Sequence, residues 1–150
     1  MSEATMNDRE LRIERLIAAP PERVFQYFTD PTLFTKWWGP EGMTSTAQAL
    51  DVRVGGAWRT TMHSRDGKNM TVGGIYRAVE APRRLVFTWA WEDDKGNRGF
   101  ETEVTITFAA APGGTKLTLL QKEFETAEAR DQHGRGWNST LDKLDRVVAA

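Results

Sequence analysis

Apolar and polar residues alternate along most of the chain, and the period changes near the end. In RELRIERLIAA (9–19), Leu11 and Ile13 alternate with Arg12 and Glu14 before Leu16 and Ile17, which predicts a strand with one charged face. PPERVFQYFTD (20–30) then places Val24, Phe25 and Phe28 at helical spacing behind prolines suited to a first turn. Asp30 and Pro31 supply an N-cap and first position for a second short helix. Its Leu33, Phe34, Trp37 and Trp38 share one apolar face until Gly39-Pro40 stops it.

The middle of the chain reads as consecutive strands. TSTAQALDV runs to the turn signal Gly55-Gly56. AWRTTMHS sets Trp58, Thr60 and Met62 on one face and Arg59, Thr61 and His63 on the other. Asp66-Gly67 is a hairpin turn, and Gly73-Gly74 in NMTVGGIYRAVEA marks a bulge or a close backbone approach. RLVFTWAW points Leu85, Phe87, Trp89 and Trp91 one way. FETEVTITF does the same with Phe100, Thr102, Val104, Ile106 and Phe108, and TKLTLLQKEF with Leu117 and Leu119. From residue 126, with Thr126 as N-cap, Trp137, Leu141, Leu144 and Val148 form the stripe of an amphipathic helix interrupted by Gly134 and Gly136. Helices do not alternate with strands, so a parallel wound sheet is excluded. The expected fold is α+β: one antiparallel seven-stranded curved sheet wrapped around a long C-terminal helix, with two short helices after the first strand. The domain is expected over residues 9–150, behind a mobile tail at residues 1–8.

Composition narrows the function. A chain of 150 residues with net charge -1 has no electrostatic footprint for nucleic acid. No apolar run is long enough to span a membrane, so membrane insertion is not expected. The polar start MSEATMNDRE has no apolar leader segment, which makes the cytoplasm the expected compartment. With no Cys there is neither disulfide nor thiol nucleophile, and His63 and His133 show no metal-ligand spacing. No cofactor and no metal are expected. His63 sits on the charged strand face with Arg59, and His133 is expected at the surface or in a capping role, although it lies one turn before Trp137. Glu101 and Glu103 fall on an outer strand face, where paired acids would do no chemistry on a ligand inside.

APPERVFQYFTDPTLFTKWWGPEG, DVRVGGAW, GGIYRAVEAPRRLVFTW, TITF with GGTKLTL, and GWNSTLDKLDRVV together resemble the START-like helix-grip superfamily, and more narrowly the bacterial relatives of the Aha1 C-terminal domain. The resemblance runs from about residue 10 to the end. It implies a long C-terminal helix over a seven-stranded sheet with an apolar cavity between them, in a family whose members bind or process apolar small molecules. The family often carries a His near the end of the last strand, where this chain has Gln121.

Six Trp in a chain of this size are the main signal. Each can be ordinary core, since aromatic side chains dominate cores, or the wall of a ligand pocket, which is mostly apolar with few polar groups. The candidate binding set is Trp37, Trp38, Met43, Trp58, Thr60, Met62, Trp89, Phe100, Thr102, Gln121, Trp137 and Leu141, with Thr60, Thr102 and Gln121 as its polar members. Trp37 is expected to pack inward with Phe34, and Trp38 to border the entrance. The leading expectation is a binding protein for an apolar small molecule. A polyketide cyclase or aromatase-like enzyme is the alternative, ranked lower because no inward acid–base pair is visible. An Hsp90-type chaperone partner is not expected, because the chain lacks the separate N-terminal domain which that activity relies on in the family. A homodimer is left open.

Overall fold

The computed structural model describes residues 9–149; the tail expected at residues 1–8 lies outside them. Strand β1 (Glu10–Ile17) leads into helix α1 (Pro21–Thr29) and the single turn α2 (Pro31–Phe34). Six strands follow: β2 (Thr44–Leu50), β3 (Ala57–His63), β4 (Asn69–Glu80), β5 (Arg84–Trp91), β6 (Thr102–Ala111) and β7 (Gly114–Lys122). Helix α3 (Ala127–Ala149) closes the chain. The sheet order is β1-β7-β6-β5-β4-β3-β2, and every neighbouring pair is antiparallel. The chain therefore starts at one edge, crosses to the other through α1 and α2, and meanders back to lie beside its own first strand. The expected α+β helix-grip architecture is what is found.

The caps are those expected from the sequence. Asp30 accepts from the Thr32 N–H at 2.9 Å, and Thr126 from the Ala129 N–H at 3.0 Å. α2 is shorter than expected: it ends at Phe34, and Trp37 and Trp38 sit in the turn beyond it, their N–H groups directed to the Phe34 carbonyl. Gly39, at φ +96°, then takes the left-handed conformation that ends the run.

The core lies between the sheet and the two longer helices. Ile13 and Ile17 of β1, Val104, Ile106 and Phe108 of β6, and Leu117 and Leu119 of β7 meet Trp137, Leu141, Leu144 and Val148 of α3. Arg15 shares the inward face of β1 with Ile13 and Ile17. It reaches past them to Asp142 (2.7 Å) and Asp145 (3.2 Å) on α3, which ties helix to edge strand. Burial raises the Asp145 carboxyl above the usual carboxylate range, and the Arg15 charge opposes that shift.

The Gly73-Gly74 pair proves to be a close backbone approach. A Cβ on Gly74 would lie 2.0 Å from the Thr88 carbonyl oxygen, and one on Gly73 would lie 2.5 Å from that of Trp58. Trp58 pairs with Gly74, and its indole N–H reaches across β4 to the Thr88 oxygen on β5 at 3.0 Å. No residue with a side chain would leave that path open. The irregularity in the β4–β5 register falls further on, between Tyr76 and Ala78.

Candidate functional site

A pocket of about 260 Å³ opens between the β3–β5 part of the sheet and the first half of α3. Trp89 and Trp91 of β5, Met62 of β3 and Met70 of β4 form the sheet side. Gln132, His133, Gly136, Trp137 and Thr140 form the helix side. Gly39, Pro40 and Met43, from the turn after α2, close it as a lip, with Trp38 behind them on the inner wall.

The lip is held by α3. Lys143 donates to the carbonyl oxygens of Gly39 and Met43, each at 3.0 Å. Burial pulls its ammonium pKa down, and the Glu41 carboxylate opposes that. Ser139 Oγ accepts from the Glu41 N–H at 2.8 Å, and Arg146 grips the Glu41 carboxylate with both terminal nitrogens, at 2.6 and 2.7 Å. The Trp-Trp-Gly-Pro stretch thus ends a short helix, carries the chain over the pocket and is fastened to the long helix on the far side.

Behind the pocket lies a closed polar network. Trp137 Nε1 donates to Gln121 Oε1 at 2.8 Å, and Gln121 Nε2 donates to Thr102 Oγ1 at 2.8 Å. Trp91 Nε1 lies 3.2 Å from His133 Nε2, and His133 Nδ1 lies 3.2 Å from Gln121 Oε1. An indole N–H can only donate, so His133 Nε2 accepts and Nδ1 carries the proton toward Gln121. Burial draws the His133 pKa down to about 4, so the ring is neutral at pH 7. Both ring nitrogens are thereby committed to the protein. The imidazole thus reaches Gln121 of β7 from the long helix.

The structure brings together five members of the expected set on the pocket wall: Trp38, Met43, Met62, Trp89 and Trp137. Trp37, Trp58, Thr60, Thr102, Gln121 and Leu141 are buried in the core, off the pocket surface. Among these, Trp37 is fully buried, as expected, and donates to the Tyr27 carbonyl at 2.8 Å. Thr60 accepts from Trp38 Nε1 at 2.9 Å. Two expectations are corrected. Trp38 is 2 % exposed and belongs to the inner wall rather than the rim, with Phe34 stacked on it at 4.6 Å. Phe100 is 53 % exposed and is not part of the pocket wall. Trp89 pairs with Thr102, but the Glu92–Arg98 bridge beyond runs one residue out of step with that register. A one-residue slip turns a side chain to the opposite face.

His133, expected at the surface or as a cap, is instead a half-buried wall residue. Its position one turn before Trp137 was the signal that places it there. Trp91, outside the expected set, carries the same inward strand phase as Trp89. Met70, Gly136 and Thr140 left no signal beyond ordinary strand and helix patterning. His63 lies outside the pocket wall, between Thr46 Oγ1 at 3.1 Å and Asn69 Oδ1 at 2.8 Å. Glu101 and Glu103 face Arg77 and Arg98 on the outer surface.

A curved antiparallel sheet gripping one long helix over an apolar pocket defines the helix-grip class, in general a ligand-binding scaffold. Residues 18–149 match the family model for activator of Hsp90 ATPase homolog 1-like protein, and the chain belongs to that family. Solved structures of similar proteins span nearly the whole chain. An AHSA1 protein from Silicibacter pomeroyi is 36% identical, with a TM-score of 0.85 over 93% of this chain and 97% of that one. A protein from Chromobacterium violaceum is 29% identical, with a TM-score of 0.86 over 95% and 98%. An AHSA1-like protein from Aeromonas hydrophila is also 29% identical, with a TM-score of 0.74 over 93% and 92%. No curated protein matches the chain. Among the described residues, no helix is long and apolar enough to cross a membrane.

Proposed function

We propose that this protein binds an apolar small molecule in the pocket between the β3–β5 strands and α3. The observation that carries the reading is the composition of the wall: four Trp and three Met around about 260 Å³. Three of the four indole N–H groups are turned to acceptors inside the protein, on Thr60, His133 and Gln121. The surface left for a ligand is therefore aromatic and thioether, suited to an apolar guest. A cyclase or aromatase reading needs a group that exchanges a proton with the ligand. His133 is the titratable side chain on the described pocket wall, and its nitrogens are engaged by Trp91 and Gln121. That commitment supports binding over turnover.

The test is native mass spectrometry of the purified protein, together with titration of the neutral dye aminoanthracene. Saturable binding of one dye per chain is expected. Gly136 lies on the wall, and a Cβ there would meet nothing within 4 Å, so Gly136→Leu fills the pocket from a position with room for it. The folded variant should lose the dye. Dye binding that survives Gly136→Leu at full affinity would move the site elsewhere.

A further inference from the structure

We infer that the ligand carries a hydrogen-bond acceptor, a carbonyl or ether oxygen on an otherwise apolar frame, and that Trp89 Nε1–H is the donor that holds it. The inference rests on the pocket reading above and adds the ligand's polar feature.

Five of the six indole N–H groups have an internal partner. Trp37 donates to Tyr27 O at 2.8 Å, Trp38 to Thr60 Oγ1 at 2.9 Å, Trp58 to Thr88 O at 3.0 Å, Trp91 to His133 Nε2 at 3.2 Å and Trp137 to Gln121 Oε1 at 2.8 Å. Trp89 Nε1 is the buried side-chain polar atom, among the described residues, with none. A buried N–H without an acceptor carries its full desolvation cost, so native structures seldom leave one without a reason. Trp89 is a residue of the pocket wall. Its ring lies 5.4 Å from His133, 5.4 Å from Trp137 and 5.5 Å from Trp91, and all four residues line the cavity.

The protein does not supply the missing acceptor from the wall. No acceptor of the described residues lies within hydrogen-bond reach of Trp89 Nε1, and the Gln121 oxygen already accepts from Trp137 and His133. Solvent does not supply it either, because Nε1 is sealed from water. A ligand can bring it. Met62 and Met70 share the wall with Trp89, and unbranched thioether chains change rotamer readily enough to let an oxygen reach the indole edge. A neutral acceptor fits better than a carboxylate, since no described cation lines the pocket to balance a charge.

Fluorenone and fluorene test the inference, because they share one flat frame and differ by the ketone oxygen. Both should bind the wild type. The affinity ratio of fluorenone to fluorene should fall about 3- to 10-fold on Trp89→Phe, the range of one neutral hydrogen bond. In ¹H–¹⁵N spectra the Trp89 indole signal should move downfield with fluorenone and stay nearly still with fluorene. If both compounds bind, the ratio is unchanged by Trp89→Phe and the indole signal responds equally to each, the acceptor inference is overturned and the pocket stands. If neither binds, the pocket reading falls and takes this inference with it. Should Trp89→Phe fail to fold, the wild-type indole signal decides between the same outcomes.

Discussion

His133 shows how one side chain's surroundings set its behaviour. In the unfolded chain an imidazole titrates near about 6.5; in the fold, burial holds His133 at about 4. Between those values the unfolded chain binds a proton that the folded one does not. Stability from this group is therefore present above about pH 6.5 and lost as pH falls toward about 4, by an amount on the order of 2–3 kcal/mol. Urea melts of the wild type and His133→Asn between about pH 7 and pH 4 isolate it. The wild type should lose stability more steeply than the variant in that window. Parallel curves would mean that the imidazole is as solvated as a free one. The sequence held half of this: the i, i+4 spacing of His133 and Trp137 put both on one helix face, but the ring's partners, the Trp91 donor on β5 and the Gln121 acceptor on β7, come from strands, which spacing along one helix cannot reveal.

At the scale of elements, two glycines of opposite meaning sit on either side of the pocket region. Gly74 allows β3 to bond across β4 to β5, and any Cβ there meets the Thr88 carbonyl at 2.0 Å. Gly136 lies inside α3, which runs unbroken from Ala127 to Ala149, and its missing side chain faces open space. Gly74→Ala should therefore destabilise by about 1–3 kcal/mol or more, the scale of an overpacked core. Gly136→Ala should stabilise by about 0.5–1 kcal/mol, the helix propensity difference, while narrowing the pocket. Chemical denaturation of both variants checks the signs; equal and opposite results to these would mean the strands part easily and the helix needs its glycine. Strand and helix phases were legible in the alternation of β3, β5, β6 and β7 and in the α3 stripe. Phe100 was misplaced because alternation is trustworthy only while the ladder keeps register, and the ladder slips one residue beyond Trp89.

At the scale of the whole molecule, the architecture was legible because the change from alternation to helical spacing and the turn signals leave few topologies open. The site was half legible. Trp38, Met43, Met62, Trp89 and Trp137 reach the cavity, but Trp58, Thr60 and Leu141 share their phases and lie in the core, off the pocket surface. Inward phase separates inside from outside; it does not separate filled space from empty space, which depends on how far the helix stands off the sheet. The aromatic packing that resulted joins all six indoles. Trp38 lies 5.6 Å from Trp37, 6.0 Å from Trp58, 5.8 Å from Trp89 and 5.4 Å from Trp137, and Trp91 joins through Trp89 at 5.5 Å. Chromophores this close pass excitation from one to the next faster than they emit, so the cluster should behave as a single antenna. A quencher seated against one wall indole would then darken light absorbed by Trp37 and Trp58, which it never touches. Saturating fluorenone should remove more of the emission than the share absorbed by the four wall indoles, with faster decay of the fluorescence anisotropy than separated indoles would give. Emission that falls only by the wall's share would mean the rings are optically independent. If they are coupled, the protein announces an occupied pocket with its whole tryptophan signal.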